Sequence, residues 1–104
     1  SLMKSSAILV NTARGGVVDE VALYDALSQN GIAAAGLDVF VTEPTDPAHP
    51  LLSLTNVIVS PHCAGVTRES TSRTSRIAAQ NVLSTLDRST KSFYVVNHEV
   101  LEQP

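Results

Sequence analysis

Ala7-Ile8-Leu9-Val10-Asn11 is a short, continuously apolar run, and it leaves the chain few architectures. Such a run is the pattern of a strand covered on both faces of a parallel sheet. Parallel neighbours need crossover connections, usually helices, and the following segments can supply them. Gly15-Gly16 permits a tight exit loop. Asp19 is placed to cap a helix over about Glu20 to Gln29, with Leu23, Ala26 and Leu27 on its inner face and Asn30-Gly31 as its stop. Ala33 to Val39 reads as a second strand whose small side chains suit close packing against a helix. Gly31 and Gly36 bracket the alanine run and argue against its continuing the first helix.

Prolines at 44, 47 and 50 exclude a regular helix or central strand between Thr42 and Leu54, which is expected as an extended loop. Asn56 to Ser60 is the third strand, ended by Pro61. Thr67 to about Leu86 has the period of a long helix, with Ala79, Val82, Leu83 and Leu86 at helical spacing. Its first half, Arg68 to Arg76, has almost no apolar face and must be solvated or meet a polar partner. Residues 88–104 form a tail in which Phe93 to Asn97 is a short strand or a docking arm. The sum is an α/β chain: a three-stranded parallel sheet with flanking helices, right-handed crossovers and at least one open apolar sheet edge.

The 104 residues carry 7 basic and 10 acidic side chains, for a formal charge of -3, with the basic residues scattered. That balance speaks against nucleic acid as a partner. A single cysteine, Cys63, rules out an internal disulfide and fits a reducing compartment. No apolar stretch approaches the roughly 20 residues that span a bilayer, and no basic region leads into a long apolar one at the start. The expectation is a soluble, cytoplasmic protein without a membrane partner. Ser1-Leu2 precede Met3 and read as a cloning remnant, and the abrupt entry into the first strand implies a piece of something longer.

Three chemically distinct residues fall at the ends of the three strands: Arg14 in Asn11-Thr12-Ala13-Arg14-Gly15-Gly16, Glu43 in Asp38-Val39-Phe40-Val41-Thr42-Glu43-Pro44, and His62 in Val59-Ser60-Pro61-His62. A cation, a carboxylate and an imidazole make a site for an anionic substrate and a proton. A planar guanidinium can grip a carboxylate bidentately where lysine could not. Histidine suits proton transfer because its unperturbed pKa lies near 6.5. Ordinary readings stand beside these: a surface arginine, a solvated loop glutamate, a structural histidine. His49 and His98 lack comparable context and are expected on the surface. Cys63 neighbours His62, but adjacent residues of an extended segment point to opposite faces, so it is expected to be a small packing residue and not a nucleophile. Ser70 to Ser75 has no G-x-S-x-G elbow around it.

The segment Ile8 to Glu20 resembles the arginine motif of the D-isomer-specific 2-hydroxyacid dehydrogenases. Gly36-Leu37-Asp38-Val39-Phe40 with Glu43-Pro44 is similar to that family's acidic motif, and Asn56 to Gly65, with Thr67 and Glu69, to its histidine motif. The resemblance implies a partial Rossmann-like domain, with NAD or NADP as cofactor and a small 2-oxo or 2-hydroxy acid as substrate. It implies catalytic roles for Arg14, Glu43 and His62: Arg14 on the carboxylate and carbonyl oxygen of the oxo acid, His62 as acid and base, Glu43 orienting His62 and stabilising its protonated form. It also implies that Thr12, Ala13, Arg14, Asp38, His62, Ala64 and Gly65 face the cofactor, Asp38 towards the nicotinamide carboxamide, with Asn11 nearby. For Asp38, capping of local amides is the alternative reading. Ala64-Gly65 resembles the glycerate, hydroxypyruvate and phosphoglycerate branches more than the D-lactate branch.

The glycines at 15, 16, 31, 36 and 65 contain no G-x-G-x-x-G spacing, the fingerprint whose backbone amides hold a pyrophosphate. The chain is therefore expected to be the carboxy-terminal half of a dinucleotide-binding domain, inactive alone and, because of its open sheet edge, homo-oligomeric. The rival from another class is a non-enzymatic dinucleotide-sensing, corepressor-like or assembly module on the same scaffold.

Overall fold

The computed structural model describes residues 2–87, 96, 97 and 99, which fall into two compact units, 1–65 and 66–104. The expected tail strand or arm and His98 lie largely or wholly outside the described residues.

In the first unit, β1 (Ile8–Asn11), β2 (Ala34–Leu37) and β3 (Val57–Val59) form one parallel sheet in the order β1-β2-β3. Val10 lies opposite Gly36, and Gly36 opposite Ile58. The α-helix among the described residues of this unit, α1 (Glu20–Ser28), is started as expected: Asp19 accepts hydrogen bonds from the amides of Val21 and Ala22, both at 3.0 Å. Its stop differs in detail. The left-handed residue is Asn30, with φ of 57°, and no glycine among the described residues has positive φ. Gly31 instead donates to the Ala26 carbonyl at 2.7 Å. Asparagine tolerates that conformation because its short side chain can bond locally.

Leu23 and Leu27 of α1 pack with Ile32, Ala35, Leu37, Phe40 and Leu51 into the core. Leu51 comes from a 3-10 turn, Pro50–Ser53, inside the proline-rich loop, and is completely buried. Ala26, expected on the inner face, is half-buried at its edge.

The expectation that β1 is covered on both faces fails here. Ile8, Val10 and Ile58 are 65%, 68% and 78% exposed, because the helical layer of this unit packs on only one side of the sheet. The second unit contains α2 (Arg68–Asp87), whose start is held by Thr67: its hydroxyl accepts from the Ser70 amide at 3.0 Å. No residue of α2 is buried, and Val82, Leu83 and Leu86 are exposed. Among the described residues no helix is long and apolar enough to cross a membrane.

Candidate active site

All three strands run the same way, so the loops that leave them gather at one edge of the sheet, the carboxyl edge where open α/β sheets bind ligands. The Arg14 loop is shaped by Asn11, a buried residue. Its side-chain amide donates to the Arg14 carbonyl at 2.9 Å and its oxygen accepts from the Ala13 amide at 3.1 Å. Arg14 itself is exposed and donates through Nη1 to the Ala13 carbonyl at 2.6 Å.

Gly15 then brings this loop against the Glu43 loop. A Cβ at position 15 would lie 2.0 Å from the carbonyl carbon of Phe40 and 2.3 Å from the amide nitrogen of Val41. Only a residue without a side chain permits that approach.

Glu43 uses both oxygens. Oε1 accepts from the Phe40 amide at 3.0 Å, and Oε2 lies 2.8 Å from Nδ1 of His62. The pair is partly open to solvent, with side-chain exposures of 47% for His62 and 38% for Glu43. The hydrogen bond from His62 is the main reason that the Glu43 carboxyl is held below its ordinary range; the Phe40 amide adds to it, and so do the charges of His62 and Arg14. The structure brings Glu43 and His62 into direct contact, while Arg14, on the neighbouring loop, adds only the smallest of these effects on the carboxyl and turns its Nη1 back to Ala13.

His62 has a left-handed backbone, φ 52°, an uncommon state for a residue with a side chain. Its amide is held by the Asp38 carbonyl at 2.9 Å and the Ser60 carbonyl at 3.0 Å. The Asp38 side chain fastens the same loop. It is 4% exposed; Oδ1 accepts from the Ser60 hydroxyl and the Cys63 amide, Oδ2 from the Ala64 amide at 2.9 Å. These bonds, led by that of Ser60, hold its carboxyl below the usual range. Asp38 thus caps amides, though those of the loop after β3, 25 and 26 residues away in sequence, and not its own.

The other sequence expectations fare differently. Thr12, Ala64 and Gly65 are exposed beside the Arg14 and His62 loops. Cys63 is exposed and not packed, because the Asp38 carboxylate draws its backbone inward, leaving the thiol outside. His49 was expected on the surface but is half-buried, its Nε2 3.3 Å from Glu20 Oε2 and its ring edge-on to Phe40 with centroids 5.3 Å apart. Glu20, for its part, accepts from the Val41 amide at 2.8 Å. Neither residue was given a role in the site by the sequence. No group of three or more metal-ligating side chains occurs among the described residues.

The exposed hydroxyl, guanidinium and imidazole on these loops offer polar groups of the kind that the reactive end of a dinucleotide would meet. Exposed Thr12, Arg14, His62 and Gly65 lie on the carboxyl-edge loops.

Residues 1–64 match the model of the D-isomer specific 2-hydroxyacid dehydrogenase NAD-binding domain. Glyoxylate reductase of Korarchaeum cryptofilum is 48% identical over 100 residues, covering 96% of this chain and 30% of the relative. The NADPH-dependent glyoxylate/hydroxypyruvate reductase of Sinorhizobium meliloti, solved with NADP and malonate, superposes with a TM-score of 0.78 at 35% identity, over 90% of this chain and 29% of that one. D-lactate dehydrogenase of Lactobacillus jensenii, solved with NAD+, gives a TM-score of 0.77 at 36% identity, over 91% and 32%. The chain thus spans about 30% of the length of such relatives. By the match over residues 1–64, and with a parallel sheet that superposes on solved members, it belongs to the D-isomer specific 2-hydroxyacid dehydrogenase family, in the NAD-binding domain.

Proposed function

We propose that this chain is the carboxy-terminal half of the nucleotide-binding domain of an NAD(P)-dependent dehydrogenase that interconverts a small 2-oxo acid and the corresponding D-2-hydroxy acid. The observation that carries the reading is the contact between His62 Nδ1 and Glu43 at 2.8 Å, on the sheet edge that also carries the Arg14 loop. Arg14 grips the substrate carboxylate, holding the adjacent carbonyl against His62. NAD(P)H, when bound, supplies the hydride to the carbonyl carbon. The carbonyl oxygen then takes the proton from Nε2 of His62, which is left neutral with its remaining proton on Nδ1, donated to Glu43. In the oxidative direction Nε2 takes the hydroxyl proton back. Glu43 serves both directions by fixing that tautomer and stabilising the imidazolium. Thr12, Ala13, Ala64 and Gly65 would flank the nicotinamide end.

Glyoxylate and hydroxypyruvate are the substrates to test first, since the relatives named above include reductases of both. The relatives are named for catalytic activities, which gives the non-enzymatic sensing or assembly reading no support. Initial rates of glyoxylate and hydroxypyruvate reduction, with NADH and NADPH, should be measured on the intact enzyme containing this segment. His62→Ala should lower kcat by about 10²–10⁴-fold, and Arg14→Ala should chiefly raise KM for the oxo acid. Ample activity surviving the loss of His62 would remove the proposed role.

A further inference from the structure

Two half-buried side chains outside the Arg14–Glu43–His62 group, Glu20 and His49, form a connected path from the core to Glu43. Leu51 has no exposed surface, and its amide donates to Nδ1 of His49 at 3.3 Å. With Nδ1 accepting, the ring of neutral His49 carries its proton on Nε2, which faces Glu20 Oε2 at 3.3 Å. The other oxygen of Glu20 takes the Val41 amide at 2.8 Å, and the preceding amide, that of Phe40, goes to Glu43 Oε1. Two successive amides thus end on two glutamates, one anchored to the core through His49 and the other bonded to His62. The backbone of Gly15 also lies close against the Phe40–Val41 peptide, and the Phe40 ring rests edge-on to His49.

We propose that Glu20 and His49 are positioning residues for proton transfer: they hold the Phe40–Val41 peptide and, through the Phe40 Cα, the adjoining Val39–Phe40 peptide whose amide holds Glu43, which sets the tautomer and orientation of His62. The inference deepens the functional reading above and rests on it. A solvated helix-start glutamate would not need a partner 21 residues away in sequence, nor a histidine already locked by a core amide. The energetic logic is that an acid–base group held loosely by even about 1 Å can lose up to roughly 10²-fold in rate. A residue that removes this freedom therefore acts on kcat without touching substrate.

The test combines two readouts. In the 104-residue chain, 15N NMR of the His62 ring reports which nitrogen carries the proton. In the intact enzyme, kcat and KM for glyoxylate are measured. Glu20→Ala should shift the His62 tautomer away from the Nδ1–H form and lower kcat by between about 10- and 100-fold with KM nearly unchanged. Glu20→Gln, which keeps an acceptor for Val41, should recover most of both. His49→Gln should fall between wild type and Glu20→Ala, and it carries the test should Glu20→Ala not fold by circular dichroism. Glu43→Gln serves as the reference. If Glu43→Gln is inactive while the folded Glu20 and His49 variants keep the wild-type tautomer and kcat, the positioning role is wrong and the catalytic reading stands. If Glu43→Gln is itself fully active, the catalytic reading fails and takes the inference with it.

Discussion

A methyl group at position 15 would overlap the Phe40 carbonyl carbon and oxygen and the Val41 nitrogen, all backbone atoms that cannot swing aside. Gly15→Ala should therefore destabilise the chain by at least about 1–3 kcal/mol, measured by urea unfolding, and should disturb the Glu43 loop as well as the Arg14 loop. An unchanged midpoint would mean that the two loops are not in contact. Asp38 gives a second test. Its carboxyl titrates lower in the fold than the ordinary 3.8, as Glu43 does relative to 4.5. A depressed folded value means that the charged form stabilises the fold above the unfolded value and that this contribution is lost as pH falls through the folded one. Stability should thus decline below about pH 4, and Asp38→Asn should be less stable at pH 7 while showing a shallower acid decline. An acid profile identical to wild type would remove Asp38 from the account. At this scale, the Glu43–His62 contact was legible because each residue lies in a motif that resembles a known one. Glu20 and His49 were not, since residues 29 positions apart meet only through the fold, and each alone has an ordinary surface composition around it.

Among elements, α1 was the most legible. Its cap, its period and its apolar face all agree, and its start matches the expectation to the residue. Asp19→Ala should cost about 1 kcal/mol through the lost cap, and Leu27→Ala about 2–5 kcal/mol, because Leu27 is only 1% exposed and leaves a cavity. Thermal or urea unfolding checks both, and a larger loss for Asp19→Ala than for Leu27→Ala would invert the proposed hierarchy of cap and core. The strands were recognised but came out shorter: Ala34–Leu37 within the expected 33–39, Val57–Val59 within 56–60. At their ends the backbone leaves the ladder to build the site. After β2, for example, Phe40 and Val41 turn their amides to glutamates and not to a neighbouring strand. Periodicity cannot register that competition. Nor could it show that Ile8 and Val10 would lack a covering layer, since an apolar run describes what a strand requires and not what the rest of the chain provides.

For the whole molecule, the open apolar face formed by Ile8, Val10 and Ile58 has a consequence for assembly. We expect a second copy of the chain to cover it, giving a dimer or larger species in sedimentation velocity at micromolar concentration, with Ile58→Asp shifting the distribution toward monomer. A stable wild-type monomer under those conditions would contradict this. Because the sequence contains no pyrophosphate-binding glycine fingerprint, the 104-residue chain alone should not turn over glyoxylate or hydroxypyruvate with NADH. The central claim is that Arg14, Glu43 and His62 form one oxo-acid pocket, and the most direct measurement is a crystal structure of the intact enzyme with oxamate bound. The account predicts the oxamate carboxylate on the Arg14 guanidinium and its amide-carbonyl oxygen within roughly 2.6–3.2 Å of His62 Nε2. Oxamate seated away from Arg14, or His62 turned off Glu43 when the pocket is filled, would contradict it.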